Sequence, residues 1–357
     1  MPDCSKHIAD QIRDAGARRQ KLKIVGHDSK HFLGRDTVGE ELSLKEHAGV
    51  VSYKPAELVI SARAGTAIEE IDKVLSESGQ MLASDPPKFD GKGSIGGSLA
   101  CNLSGPGRPW TGSLRDAVLG VTIIDGRGES LKFGGQVMKN VAGYDVSRLQ
   151  AGAMGCLGVI AEISLKVMPK PDATATVAIE MVDPSSSIRY INELCGTSLP
   201  ITGACWDNGW QYVRFQGAGR AVEKAISEIL QSRSDARQIH SEVNYWESLR
   251  DHEHDFFSSP DKIWRYSVKS TTELQKDGSS LVDWGGAQRW VRADGSVDNM
   301  AKECDGRAGK VSLFRGRESH EDVCHPMAEP LQQLHKGLKS RFDPDFLLNP
   351  GRLYSWL

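Results

Sequence analysis

The sequence predicts an α+β fold in two units, and two observations predict it. A chain of 357 residues exceeds what one hydrophobic core usually organises. Its texture also changes near residue 173. Before that point, short β-branched runs alternate with glycine-rich turns; after VMPKPDATA, strand-like runs alternate with longer polar helices and glycine thins out. The second segment reads strand, helix, strand, strand, helix, which predicts a cap built on an antiparallel sheet with helices on one face.

In the first unit the strand candidates are LKIVG (22–26), ELVISARAG (57–65), AVLGVTIIDGRGE (117–129) and LGVIAEISLKV (157–167). Between them, TAIEEIDKVLSESG (66–79) sets Ile68, Ile71 and Leu75 at helical spacing. Thr66 with Glu69 reads as a capping box and Gly79 as the stop. In the second unit TVAIEMV, ITGACWD and WQYVRFQ read as strands, and SSIRYINELC and AVEKAISEILQS as helices. The tail closes on the turn signal NPG and an aromatic, strand-like stub.

Composition narrows the function. With 39% hydrophobic residues, 25% charged, 8 Trp, 7 Tyr and 9 Phe, the chain can bury a core. Lys+Arg 44 against Asp+Glu 47 leaves a net charge of −3 with no basic track, so nucleic acid is not an expected partner. No apolar signal core or membrane-spanning run occurs, which places the chain in the cytoplasm. The 7 cysteines (Cys4, Cys101, Cys156, Cys195, Cys205, Cys304 and Cys324) are scattered without a C-x-x-C pair, so neither a disulfide framework nor a zinc or iron–sulfur site is expected.

Gly91, Gly93 and Gly96 satisfy G-x-G-x-x-G, but the proline-broken ASDPPKFD precedes them where a dinucleotide fold needs a buried strand. A Rossmann site is therefore not expected. The glycine-dense run GKGSIGGSLACNLSGPGRPWTGSLRD (91–116) brings backbone N–H groups close to a ligand, or forms ordinary turns. A second loop, VGHDSKHFLG (25–34), sets Gly26, His27, Asp28, Ser29 and Lys30 behind a strand, as an anion nest or a polar turn.

These residues carry a resemblance. IVGHDSKHFLGR, VVSYKPAELVISARAGT, the 93–120 run, KNVAGYD, LVDWGGAQRWV and FDPDFLLNPGRLY resemble the FAD-binding family of p-cresol methylhydroxylase and vanillyl-alcohol oxidase (the PCMH type). Within it they are most similar to the FAD-binding subunits of bacterial glycolate oxidases. The resemblance implies an FAD-binding unit over 1–173, with subdomains at about 1–56 and 57–173, a cap over 174–340, and a segment, 341–357, that returns to the flavin. It implies FAD, with Gly26, His27, Asp28, Ser29 and Lys30 at the pyrophosphate. Ser94, Ile95, Gly96 and Gly97 would line the flavin and phosphate side, with Asn102, Ser104, Gly112, Ser113 and Asp116 completing that loop. Gly158, Val159 and Ile160 would meet ribose and adenine, and Asn349 would reach the ring. Some relatives attach FAD through a histidine in the first loop after paired glycines; here Val25 replaces the first glycine, and the expectation is noncovalent FAD.

Self-sufficient relatives that oxidise 2-hydroxy acids carry H-x-G-D-G-N-x-H, which this sequence lacks. His252 and His254 lie two apart on a charged helical stretch and face different ways, and His320–Glu321 is followed by Cys324 where H-E-x-x-H needs its second histidine. All are expected at the surface, with no metal, and no catalytic residue is assigned. Arg265 and Arg289, on strands with apolar neighbours, are candidates to pair with a substrate carboxylate or with a partner chain, or else form structural salt bridges. The implied function is the FAD subunit of a complex oxidising glycolate, a small 2-hydroxy acid, to glyoxylate. Its implied partners are a larger FAD-binding subunit and an iron–sulfur subunit, through which any membrane association would arise. A free-standing alcohol or sugar oxidase and a non-catalytic assembly subunit with a structural FAD remain the alternatives.

Overall fold

The computed structural model describes residues 3–135, 145–240, 243–272, 279–306 and 309–357. Residues 139–144 of KNVAGYD lie outside the described residues. The fold is α+β, and it opens with a helix, Ser5–Ala17, followed by a parallel strand pair, Leu22–Val25 and Glu40–Ser43. A six-stranded antiparallel sheet follows. Val50–Lys54, Val59–Arg63, Val159–Pro169, Val118–Ile124 and Ser130–Gly134 lie side by side, and Gln80–Leu82 pairs with the far end of Val159–Pro169. Ile60, Ile71, Leu75, Ile95, Leu99, Ile123 and Val159 form its core, joined by Leu347 and Leu348 from the C-terminal end. The helix expected from Thr66 begins later, at Ile68–Ser76 with Ala67 as N-cap and no side-chain capping bond. Thr66 instead turns inward: its hydroxyl donates to Arg63 O (2.6 Å) and accepts from Gly49 N (2.9 Å).

The second sheet has eight strands paired antiparallel throughout, in the order 236–239, 173–180, 210–217, 201–207, 279–283, 288–292, 263–267, 310–315. Alternation along its strands sorts the side chains to two faces. Val177, Ala204, Val213, Trp264 and Val291 face outward, beneath the helices Pro184–Cys195, Gly219–Ser232 and Val297–Asp305. Cys205, Leu281 and Trp290 face the first unit, where they pack with Leu33, Leu103 and Trp246 of a fourth helix, Val243–Asp251.

The final helix, Glu329–Phe342, leads the chain back to the first unit, and Leu348 bridges to Leu22. The aromatic stub after NPG is not a strand: residues 350–356 form turns and bends, and Tyr354 stacks on Trp356 (4.9 Å). Among the described residues no helix is long and apolar enough to cross a membrane.

Candidate functional site

A cleft opens where the first strand and the second glycine loop meet. Leu22–Val25 ends and the chain turns through Gly26–Lys30, with Asp28 in the left-handed region (φ +56°). Against it stands the start of the helix Ile95–Cys101, whose N-cap Ser94 accepts from Gly97 N (3.3 Å). The two loops nearly touch: a Cβ added at Gly26 would lie 3.0 Å from Ser94 Oγ, and one at Gly97 would lie 3.1 Å from Ser94 Oγ and 3.7 Å from Lys30 Nζ. Both glycines therefore leave bare backbone facing the cleft.

Of the residues named from the sequence, Gly26, His27, Asp28, Ser29, Lys30, Ser94, Gly96, Gly97, Gly158, Ile160 and Asn349 line this one cleft. Gly96 faces inward, because a Cβ there would overlap Ala64 Cβ at 2.5 Å. Gly158 adopts φ +147°, open to glycine alone in practice. The other named residues stand elsewhere. Ile95 and Val159 are fully buried in the first core. Ser113 and Asp116 satisfy one another, since Ser113 N and Oγ donate to Asp116 Oδ2 (2.9 and 2.8 Å) in a capping box next to Gly112, and these bonds lower the Asp116 pKa. None of these three lines the cleft.

Lys30 is the charged group at the centre. It is buried, holds no ion pair among the described residues, and lies 5.0 Å from the Phe89 ring. Burial lowers its pKa to about 8, against a weaker opposing pull from Cys101 and Asp251. A buried ammonium without a counter-ion is costly unless an anion arrives to pair with it. Burial also lowers the His27 pKa, helped by Lys45 and Lys30.

Ser98 Oγ on the helix Ile95–Cys101, and Asn102 Oδ1, Ser104 Oγ and both amide atoms of Gln150 beyond it, are buried without a hydrogen-bond partner in the protein, and none of these residues lines the cleft. Orphans of this kind each cost about 1–3 kcal/mol unless a bound group or water meets them. A cleft lined by bare glycine backbone and a buried, unpaired ammonium fits the pyrophosphate of a dinucleotide.

Sequence reading missed several lining residues. Arg352, three residues beyond Asn349, donates to Arg35 O (2.8 Å), Lys30 O (3.4 Å) and His31 O (3.2 Å), tying the C-terminal turn to the first loop. Its signal was present in NPGRLY. Arg317, ion-paired with Asp36, gave none, being remote in sequence. The Asn349 side chain is largely engaged by the backbone: Oδ1 accepts from Ile24 N (2.8 Å) and Nδ2 donates to Met154 O (2.7 Å).

Strand register separates the two candidate arginines. Arg265 pairs across from Trp290 and so faces the first unit, whereas Arg289 pairs across from Tyr266 on the outward face. Arg289 donates to Gly286 O (3.1 Å) and to Thr272 O, and so serves its own sheet. Burial lowers the Arg265 pKa, with Cys324 and Cys101 opposing and Arg108 assisting.

The expected surface histidines are corrected in part. Val243–Asp251 ends before His252, which takes φ +57° and is buried among Phe89, Phe257, Trp290 and Phe314. Burial holds its pKa well below the usual imidazole value, with Arg315, Arg265 and Lys30 adding to the effect. His254 lies beyond the helix too, accepting from Phe256 N and meeting Asp207 at 3.3 Å. His320 is exposed, while Glu321 pairs with Lys262 (2.7 Å).

Comparison with known proteins agrees with this geometry. The FAD binding domain family matches residues 1–134. Glycolate oxidase subunit GlcE of Escherichia coli (strain K12) is 40% identical over 99% of both chains. D-2-hydroxyglutarate dehydrogenase of Xanthomonas citri pv. viticola is 29% identical over 99% of this chain and 88% of that protein. Among solved structures, alkyldihydroxyacetonephosphate synthase superposes with a TM-score of 0.69 at 14% identity, covering 98% of this chain and 75% of the other; at that identity it shows the fold alone. The chain belongs to the family of FAD-binding glycolate oxidase E subunits, within the vanillyl-alcohol oxidase and p-cresol methylhydroxylase flavoproteins.

Proposed function

We propose that this chain is the electron-relaying FAD subunit of a complex that oxidises glycolate to glyoxylate. The chain is an FAD-dependent oxidoreductase of the class acting on CH–OH groups. The finer reading is that a larger FAD-binding subunit oxidises glycolate, that this subunit relays electrons to an iron–sulfur subunit, and that any membrane contact comes through the assembly. Bound FAD supplies a centre that takes up two electrons together and releases them singly.

In this reading residues 1–173 hold the cofactor, 174–340 form the cap and 341–357 return to the flavin. Lys30 and the bare backbone at Gly26 and Gly97 meet the pyrophosphate. Gly158 and Ile160 leave room for its ribose and adenine. FAD is held without a covalent bond, His27 serving as a lining residue.

The observation that carries the relay reading is the packing above the helix Ile95–Cys101. A base and an open pocket are needed there for a 2-hydroxy acid. Instead Phe32 packs edge-on to Phe89 (6.0 Å) and Phe314 (5.3 Å), and Trp290 meets Phe314 at 4.7 Å around the enclosed His252. A second reading, oxidation within this chain, is favoured by Arg265, which faces the first unit and has no ion pair among the described residues. Anaerobic mixing of the FAD-loaded chain with excess glycolate separates the two. We expect no bleaching of flavin absorbance until the partner subunits are added; bleaching by the chain alone on a catalytic timescale would move oxidation into this subunit.

A further inference from the structure

One part of the cofactor cleft's wall comes from the second unit. The strand Lys310–Arg315 lies at the edge of the eight-stranded sheet and is followed by Gly316, which takes φ +84°. A Cβ there would lie 2.9 Å from Lys262 Cα, so glycine alone fits this turn. The turn takes Arg317 away from its sheet and into the wall of the cleft, which Asp36, Thr37 and Arg352 also line. Lys262 holds the segment that follows, pairing with Glu321 (2.7 Å) and Glu318 (3.6 Å). Arg317 is thus anchored in the second unit while it faces the first.

Two crossed ion pairs join the units here. Arg317 of the second pairs with Asp36 of the first, and Arg35 of the first pairs with Asp322 of the second. The Asp36 pair satisfies little of the Arg317 guanidinium. Nη2 donates to Asp36 Oδ1, Nε is buried without a hydrogen-bond partner, and no other bond of this side chain occurs among the described residues. Thr37 Oγ1 is a second buried atom without a partner on a residue of the same wall. The Asp36 side chain is 41% exposed, so water can replace the guanidinium on its carboxylate at little cost.

Arg352 differs, because its Nη donors are engaged by the carbonyls of Arg35, Lys30 and His31. Burial lowers the Arg352 pKa; Cys101 opposes this, and Arg317 lowers it further, so the two guanidinium groups repel each other. An anion beside both relieves that repulsion, and a planar fork with unused N–H donors matches phosphate oxygens. We propose that Arg317 is a cofactor-binding residue, which exchanges Asp36 for the pyrophosphate of FAD, so that the second unit completes a site otherwise built by the first loop and the glycine cradle. The inference rests on the cofactor placement proposed above, and holds whether this flavin relays electrons or oxidises substrate.

The test measures binding of FAD, and of ADP as a flavin-free carrier of a pyrophosphate, to the FAD-free full chain by titration calorimetry. Arg317→Gln is expected to weaken both ligands by a similar factor, about 10–100-fold, as the loss of one charge-assisted contact implies. Arg317→Lys should recover part of that loss. Asp36→Asn separates contact from scaffold: it breaks the same ion pair but frees the guanidinium, so affinity should hold or rise. Asp322→Asn removes the neighbouring pair without touching the cleft wall, and should stay within about twofold of the wild type. Wild-type affinity in Arg317→Gln overturns the inference. So does an equal loss in Asp36→Asn, which would make Arg317 a strut between the units, or a loss of FAD affinity with ADP affinity kept, which would move the contact to the flavin. If Lys30→Met weakens FAD binding and Arg317→Gln does not, the cofactor placement stands without Arg317; if neither does, the placement itself fails.

Discussion

Lys339 Nζ lies 2.7 Å from Asp343 Oδ2, one helical turn apart, and both side chains are completely buried. The ammonium also donates to Cys156 O and Leu348 O at 2.7 Å, and the carboxylate accepts from Leu347 N (2.9 Å) and Leu348 N (2.8 Å). This pair ends the last helix and fixes the turn that carries Asn349 and Arg352 to the cleft.

Removing one partner strands the other. Asp343→Ala leaves a buried ammonium, and a loss of about 3–5 kcal/mol is expected in denaturant unfolding. Because the Asn349 turn is released with it, FAD retention should fall as well; a variant with wild-type stability would show that the pair carries no weight.

Lys30 makes stability and cofactor affinity respond oppositely. Its pKa falls from 10.5 unfolded to about 8 folded, so between those values the unfolded chain binds the extra proton and stability of the FAD-free protein rises with pH. Lys30→Met is expected to stabilise the FAD-free chain at pH 7 by up to roughly 3 kcal/mol while weakening FAD binding. Titration calorimetry of the wild type should find FAD affinity declining as pH rises through 8, where the free lysine gives up its charge; a flat profile would remove Lys30 from the anion site.

Gly97→Val should yield a folded, soluble chain without flavin. A Cβ there meets side chains rather than backbone, Ser94 Oγ at 3.1 Å and Lys30 Nζ at 3.7 Å, so the helix accommodates it by a small shift of Ser94 while the added side chain occupies the cleft. Full FAD occupancy in that variant, read from the absorbance ratio, would place the cofactor elsewhere.

Acid precipitation of the wild type should leave the yellow chromophore in the supernatant. Colour retained in the pellet would mean a covalent bond, and its loss in His27→Ala would locate it. Burial, helped by Lys45 and Lys30, lowers the His27 pKa; because a neutral imidazole is the nucleophilic form, the precipitation result and not the protonation state decides the point.

The sequence by itself determined the strands that begin at Leu22, Val59, Val118, Val159, Ala173, Ile201 and Trp210, the first loop and the glycine cradle, because these depend on local rules: alternation, turn residues and bare backbone. Gly26–Lys30, Ser94 and Gly97 were legible as cleft-lining residues for that reason, although Ile95 went to the core and Gly96 proved to serve packing against Ala64. Tertiary structure decided what local rules cannot reach. Arg265 and Arg289 look alike along the chain, yet pairing with Trp290 and Tyr266 sends them to opposite faces of one sheet. Ser113 and Asp116 looked like ligand groups and instead satisfy each other. His252 reads as a charged-surface residue, but the left-handed turn after Asp251 drives it into an aromatic cluster drawn from both units. Lys30 gained its depressed pKa, and Lys339 its buried carboxylate, only when segments distant in sequence closed around them, since burial is a property of the packed chain rather than of any residue in it.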